Sequence, residues 1–247
     1  MSLARVSARR WRAAGLPAQL DAVDRGAAVA VEGAFEPDVC RRWSARVLGA
    51  KKDWVADFGR EQFALGRAFY THYETGRAAL YFRDAAASDA RVERHLPGMQ
   101  AAVLELFEQL TGGRARRRHG FCGPGVHVFP AGEKVSRSGG VVHFDIEGLT
   151  PHQIQTKARA LSLVVMLQPP RWGGGLRLWS ATYRGREAPT RADLATPAFT
   201  YRYRPGSALL MSSYRLHQIR PFRGDAPRIS ITVHAAEIDR GVWETWF

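Results

Sequence analysis

The chain is poor in cysteine, in lysine and in long apolar runs, and each shortage closes off a class of protein. Its cysteines are Cys40 and Cys122, in no Cys-x-x-Cys pairing and no secretory framework. That argues against a disulfide scaffold; both thiols read as reduced, in a cytoplasmic protein. No stretch of about 18 apolar residues occurs, so no membrane span and no membrane partner are expected. No internal repeat or low-complexity tract stands out. Lysine is confined to Lys51, Lys52, Lys134 and Lys157, although the net charge is +13. The basic excess is therefore almost all arginine, in a chain also rich in Ala and Gly. A GC-rich coding bias accounts for that skew more simply than a dedicated polyanion-binding surface does. The charge is still physical, and it favours acidic partners at low salt.

What remains is an ordinary globular composition, 45% hydrophobic over 247 residues, enough for one large domain or a core with an extension. Residues 1–118 read as a helix-rich region packed on the core, and 119–247 as the core itself, the two forming one structural domain. The first twelve residues, MSLARVSARRWR, carry Arg and Ser but no acid, a faint transit-like texture; a frayed basic terminus is the preferred reading. Residues 27–31 are a short strand candidate. Val39, Trp43 and Val47 recur at helical spacing behind Glu36 and Asp38, which predicts a helix there. A second helix is predicted over 98–110, stopped by Thr111-Gly112-Gly113. The aromatic stretch 55–82 declares no element. Gly112 to Arg118 is the densest basic run and reads as a solvated linker.

From about residue 119 the texture changes. Short β-branched or aromatic runs alternate with Gly and Pro, as in an all-β barrel or sandwich. The strand candidates are 126–130, 141–145, 160–168, 176–179, 199–204, 208–211, 217–221 and 228–235. Breaks such as Ser138-Gly139-Gly140, Gly173-Gly174-Gly175 and Pro205-Gly206 separate them. This is the strand number of a double-sheet jelly roll. The expected fold class is α+β: a double-stranded β-helix (jelly roll, cupin-like) core with helical N-terminal support.

Successive side chains of a strand point to opposite faces, so His143 and Asp145 share a side and Phe144 turns away. His217 is the best candidate for a third ligand. In the strand that follows, Arg228, Ser230, Thr232 and His234 form one polar face opposite Ile229, Ile231 and Val233. Two imidazoles and a carboxylate are a non-haem Fe(II) donor set, and an arginine fork with a nearby hydroxyl suits a carboxylate.

His143-x-Asp145, a distal His217 and then Arg228-x-Ser230 resemble the Fe(II)/2-oxoglutarate-dependent oxygenases. The short gap from His217 to Arg228 and the segment PGSALLMSSYRLHQIRPFRGDAPRISITV are similar to that family's second ligand region. The resemblance covers roughly residues 119 to 240. It implies Fe(II) held by His143, Asp145 and His217, with 2-oxoglutarate as cosubstrate gripped at its far carboxylate by Arg228 and Ser230. It also implies consumption of O2, release of succinate and CO2, and oxidation of a substrate C–H bond. Fe(II) with one carboxylate leaves a net charge of +1, which the cosubstrate dianion and Arg228 bring to zero, so burial is tolerable. Asp145 argues against the halogenating branch, which replaces this acid with a small residue.

The expected partner is a small molecule, acidic ones included: an amino acid or a natural-product intermediate that undergoes hydroxylation. Substrate-contact candidates are His127 and Phe129 on the first core strand, Arg137 in the Gly/Ser loop and Trp179 after the Gly-rich turn, with Tyr70 and Tyr73 behind them. His234 faces inward but six residues beyond Arg228, out of the iron's reach; His119 and His152 read as loop residues. An oxygenase acting on nucleic acid or a protein side chain is the alternative, resting on the net charge. A non-catalytic jelly-roll binding module or a metal hydrolase is the second alternative, and gives Arg228-x-Ser230 no task.

Overall fold

The computed structural model describes residues 2–7 and 17–247. Ten of the described strands make one large sheet. Its path runs β1 (Leu3–Ser7), β2 (Ala28–Glu32), β11 (Ala208–Ser212), β7 (Ala160–Gln168), β14 (Arg228–Asp239), β6 (Gly125–Phe129), β4 (Gln62–Leu65) and β3 (Val55–Asp57). Strand β15 (Val242–Trp246) pairs with the far end of β14 and with β5 (Arg114–Arg117). A smaller sheet has the order β10 (Ala198–Tyr201), β9 (Leu176–Thr182), β12 (Arg215–Ile219), and β8 (Trp172–Gly173) pairs with β13 (Phe222–Arg223). Pairing is antiparallel except for β1 with β2 and β5 with β15. The two sheets with helices outside give the expected mixed jelly-roll class.

Alternation decides the layers. Ile229, Ile231 and Val233 of β14, with Val126 and Val128 of β6 and Leu163 and Val165 of β7, face outward and are fully buried. What buries them is the helical layer: helices Pro37–Gly49, Ala78–His95 and Met99–Thr111 supply Val47, Val92, Met99, Val103, Phe107 and Leu110 to the same cluster. Truncating one such aliphatic side chain to Ala would cost about 2–5 kcal/mol. The helix predicted to stop at Gly112 does so, with Gly112 at φ 66 and its N–H on the Glu108 carbonyl, a conformation glycine adopts without penalty. The opposite, inner face of the large sheet turns toward the small sheet, and a cavity lies between them.

Several sequence expectations change. The first 118 residues are not helical support alone, because β1 to β4 extend the large sheet at both ends. Leu3–Ser7 is a strand rather than a frayed end; residues 8–16 of the basic terminus lie outside the described residues. The stretch 55–82 resolves into β3, β4, the short helix Phe69–Glu74 and the start of Ala78–His95. The basic run is no linker: it is β5. Arg117 pairs with Asp89, while Arg116 and Arg118 both reach Glu244. His152 sits in the one-turn helix Pro151–Gln155. No described helix is long and apolar enough to cross a membrane.

Candidate metal and cosubstrate site

The strand expected over 141–145 shrinks to one bridge. His143 donates its N–H to the His217 carbonyl at 3.1 Å and accepts from the His217 N–H at 3.0 Å. Directly opposed antiparallel residues carry their side chains on the same face, so this pair alone brings the two imidazoles together, ring centroids 4.3 Å apart. Phe144 turns into the core against Tyr183. Asp145 returns to the imidazole side, fixed by its N–H on the Ser213 carbonyl at 2.9 Å. A register shift in β12 between Arg215 and His217 is the local kink that commonly re-aims a side chain beside a site.

The donor atoms of His143, Asp145 and His217 lie within 4.8 Å of one another. Each histidine Nε2 is 3.4 Å from Asp145 Oδ1. Bonds of about 2.1 Å to one ion, at right angles, would hold donors about 3 Å apart, so small side-chain adjustments suffice. The tautomers are right as well. His143 Nδ1 meets the Val141 carbonyl and His217 Nδ1 the Arg215 carbonyl, both at 2.8 Å. A proton held at Nδ1 by a carbonyl leaves Nε2 with its lone pair for a metal. Burial works against the Asp145 charge, but His217, His234 and His143 outweigh it and hold the carboxyl well below its usual range. Burial likewise opposes protonation of His143, yet the Asp145 hydrogen bond and charge lift it to about 9.

The other end of the cavity belongs to Arg228, 1% exposed. Its Nε donates to the Gly174 carbonyl at 3.1 Å and its Nη1 to Ser230 Oγ at 2.9 Å. The guanidinium lies 5.5 Å from the Phe129 ring and 5.6 Å from Tyr203. The Gly173-Gly174-Gly175 turn supplies that carbonyl. Gly173 and Gly174 have positive φ, and a Cβ on Gly173 would strike the Pro221 carbonyl. No carboxylate pairs with Arg228 among the described residues. Burial pulls its pKa down to about 10. A buried cation without a counter-ion is unfavourable by several kcal/mol unless a ligand supplies the anion. These groups therefore fit a metal ion at one end and a carboxylate at the other.

The cavity joining the two ends has a volume of about 380 Å³. His127 and Phe129 line it, as does Tyr70. Trp179 and Arg137 do not. Leu176 and Leu178 take the inner face of β9, so Trp179 is turned to the opposite side, its indole on the Leu194 carbonyl. Arg137 is exposed and donates to the Gly132 carbonyl. Tyr73 is 58% exposed. His234 is nearer the centre than its distance from Arg228 suggested, because Asp145 meets β14 at the middle of the strand. Its Nδ1 lies 3.9 Å from Asp145 Oδ2 and 3.1 Å from Ser162 Oγ, which pairs in turn with Ser213. Sequence alternation put His234 on this face; only the crossing of chains shows its neighbour. Tyr203, with a buried hydroxyl that has no partner, and the cavity-lining Glu74, Glu147 and Phe247 carried no signal in the sequence.

Residues 134–235 match the profile of the 2OG-Fe(II) oxygenase superfamily. Solved structures share the fold. An oxidoreductase of the 2OG-Fe(II) oxygenase family from Burkholderia pseudomallei is 14% identical, with 88% of each chain covered and a TM-score of 0.50. The epimerase SnoN, in complex with Fe3+, alpha ketoglutarate and nogalamycin RO, is 17% identical over 90% of this chain and 87% of its own, TM-score 0.55. A prolyl hydroxylase in complex with a hypoxia inducible factor peptide fragment, from Trichoplax adhaerens, is 14% identical over 91% and 89%, TM-score 0.50. No curated protein is a significant match. Over the matched segment 134–235, which holds His143, Asp145, His217, Arg228 and Ser230, the chain is similar to the 2OG-Fe(II) oxygenase superfamily. Members of that family use Fe(II), 2-oxoglutarate and O2.

Proposed function

We propose that the chain hydroxylates an unactivated C–H bond of a small molecule, with His143, Asp145 and His217 holding Fe(II) and Arg228 and Ser230 holding 2-oxoglutarate. When bound, the metal and cosubstrate supply the oxidising power and release succinate and CO2. The chain's own residues do the rest. The Val141 and Arg215 carbonyls keep both imidazoles in the ligating tautomer. Asp145 would contribute the one carboxylate of the donor set beside the two imidazoles. Arg228 and Ser230, already joined by a hydrogen bond, would hold the far carboxylate of the cosubstrate. The apolar lining from Val164, Leu176 and Met211 excludes water from the space where oxidation is meant to reach substrate.

The observation that carries this reading is the unneutralised Arg228 in the same cavity as the donor cluster. A hydrolase or a passive binding module gives that buried charge no partner. Calorimetric titration of 2-oxoglutarate into Mn(II)-loaded protein tests it. Saturable binding that is lost in Arg228→Gln is expected; no binding to the wild-type protein removes the assignment.

A further inference from the structure

The inner end of the cavity is cationic, but the mouth is not. Glu61, Glu74, Glu147 and Lys134 all line it. Lys134 Nζ neutralises Glu61 at 3.0 Å. Glu74 and Glu147 form no salt bridge among the described residues; burial raises both carboxyls, Glu147 to about 7, while the nearby His143 works the other way. Two carboxyl groups outside any salt bridge thus flank the approach to the donor cluster in a chain of net charge +13. The wall between them is aromatic. Tyr70 lies on the same face of the helix Phe69–Glu74 as Glu74, four residues on. Trp246 donates its indole N–H to the Glu147 backbone carbonyl at 3.2 Å, and Phe58 lies 6.2 Å from Tyr70. Carboxylates set among aromatic faces are the surroundings that hold an organic ammonium, through charge-assisted hydrogen bonds and cation–π attraction.

A second observation points to a ligand in the same space. His127 is 5% exposed and lines the cavity. Its Nδ1 is buried without a partner, and no described group hydrogen-bonds to the ring. Its ring packs against Tyr70 and Phe247. Buried polar groups are almost always satisfied, so an imidazole left open on both nitrogens is waiting for something that enters.

We propose that the mouth receives a small organic cation, a substrate bearing a protonated amine held by Glu74 and Glu147 against Tyr70 and Trp246. This rests on the oxygenase reading for the chemistry that follows, but not for the binding itself. The arrangement repels a phosphate polymer at its entrance, which sets the mouth against the rest of the basic surface.

The test uses hexylamine and hexanoate, equal in length and opposite in charge, titrated calorimetrically into the Mn(II)-loaded full chain with and without 2-oxoglutarate. Hexylamine is expected to bind about tenfold more tightly than hexanoate, a difference near one decade in Kd. The Glu74→Gln/Glu147→Gln variant is expected to bring the two within about twofold; both side chains are partly exposed, and Mn(II) binding in that variant reports an intact fold. Equal affinities, a preference for hexanoate in the wild type, or a short oligonucleotide that displaces hexylamine would each overturn the proposal. A 2-oxoglutarate titration on the same samples separates the two ideas. Its failure removes the oxygenase assignment and leaves the amine site standing or falling on the hexylamine result.

Discussion

The two ends of the cavity solve opposite problems. At the inner end a guanidinium is sealed off, bonded to a carbonyl and a hydroxyl, and left without an anion. At the mouth two carboxyl groups stand in partial contact with water and in no salt bridge. Between them lies the donor cluster of His143, Asp145 and His217. Polarity therefore reverses along a single cavity, and a molecule can be sorted by which of its ends is negative. The lesson is that net charge describes a surface and not a site: +13 on the chain coexists with an acidic doorway, because Arg116, Arg117, Arg118 and Arg159 are spent on Glu244, Asp89, Asp24 and Glu237.

The contrast can be broken in steps, the most damaging first. Asp145→Ala removes the only anionic donor of the cluster and should abolish Fe(II)-dependent succinate release; retained turnover would show the ligand assignment to be mistaken. Arg228→Gln should weaken 2-oxoglutarate on the order of 100-fold, the loss of about 3 kcal/mol typical when a buried charge pair loses one member. Unchanged affinity by calorimetry would place the cosubstrate elsewhere. His234→Phe should lower Mn(II) affinity about tenfold, as removing a group behind a ligand usually does. His234→Gln should restore part of it; equal affinities for all three proteins would confine His234 to packing. Raising salt from about 0.05 to about 0.5 M should loosen hexylamine several-fold and barely touch the arginine end, since screening acts on partly exposed charges and spares buried ones. Equal sensitivity at both ends would mean that the cavity is wetter than its lining suggests.

The parts that were legible in the sequence are those written in local periodicity. The His143-x-Asp145 spacing and the clean alternation of 228–234 specify faces without reference to anything distant. The β7 bounds follow in the same way from a largely apolar run that only Ser162 interrupts before Gln168. Trp179 was misread because both faces of Leu176–Thr182 are buried, so alternation could not say which was inward. The strand over 141–145 failed because Ser138-Gly139-Gly140 leaves that segment one bridge and no ladder. β5 hid within a run of arginines whose acids lie on a distant strand and helix. Glu74 and Glu147 come from a short helix and a turn, and no spacing rule links them. Their meeting is tertiary.

His143 belongs to no regular strand: two hydrogen bonds to one residue of the small sheet hold its backbone there. A metal joining it to Asp145 and His217 would act as a rivet across that seam. Loading and local unfolding would then be one equilibrium read from two sides. Amides at 143, 145 and 217 should exchange with deuterated solvent well before those of β7 and β14 in the stripped protein, and the lag should vanish as Mn(II) is added. Chelation would thus loosen the wall of the active chamber long before it melts the molecule.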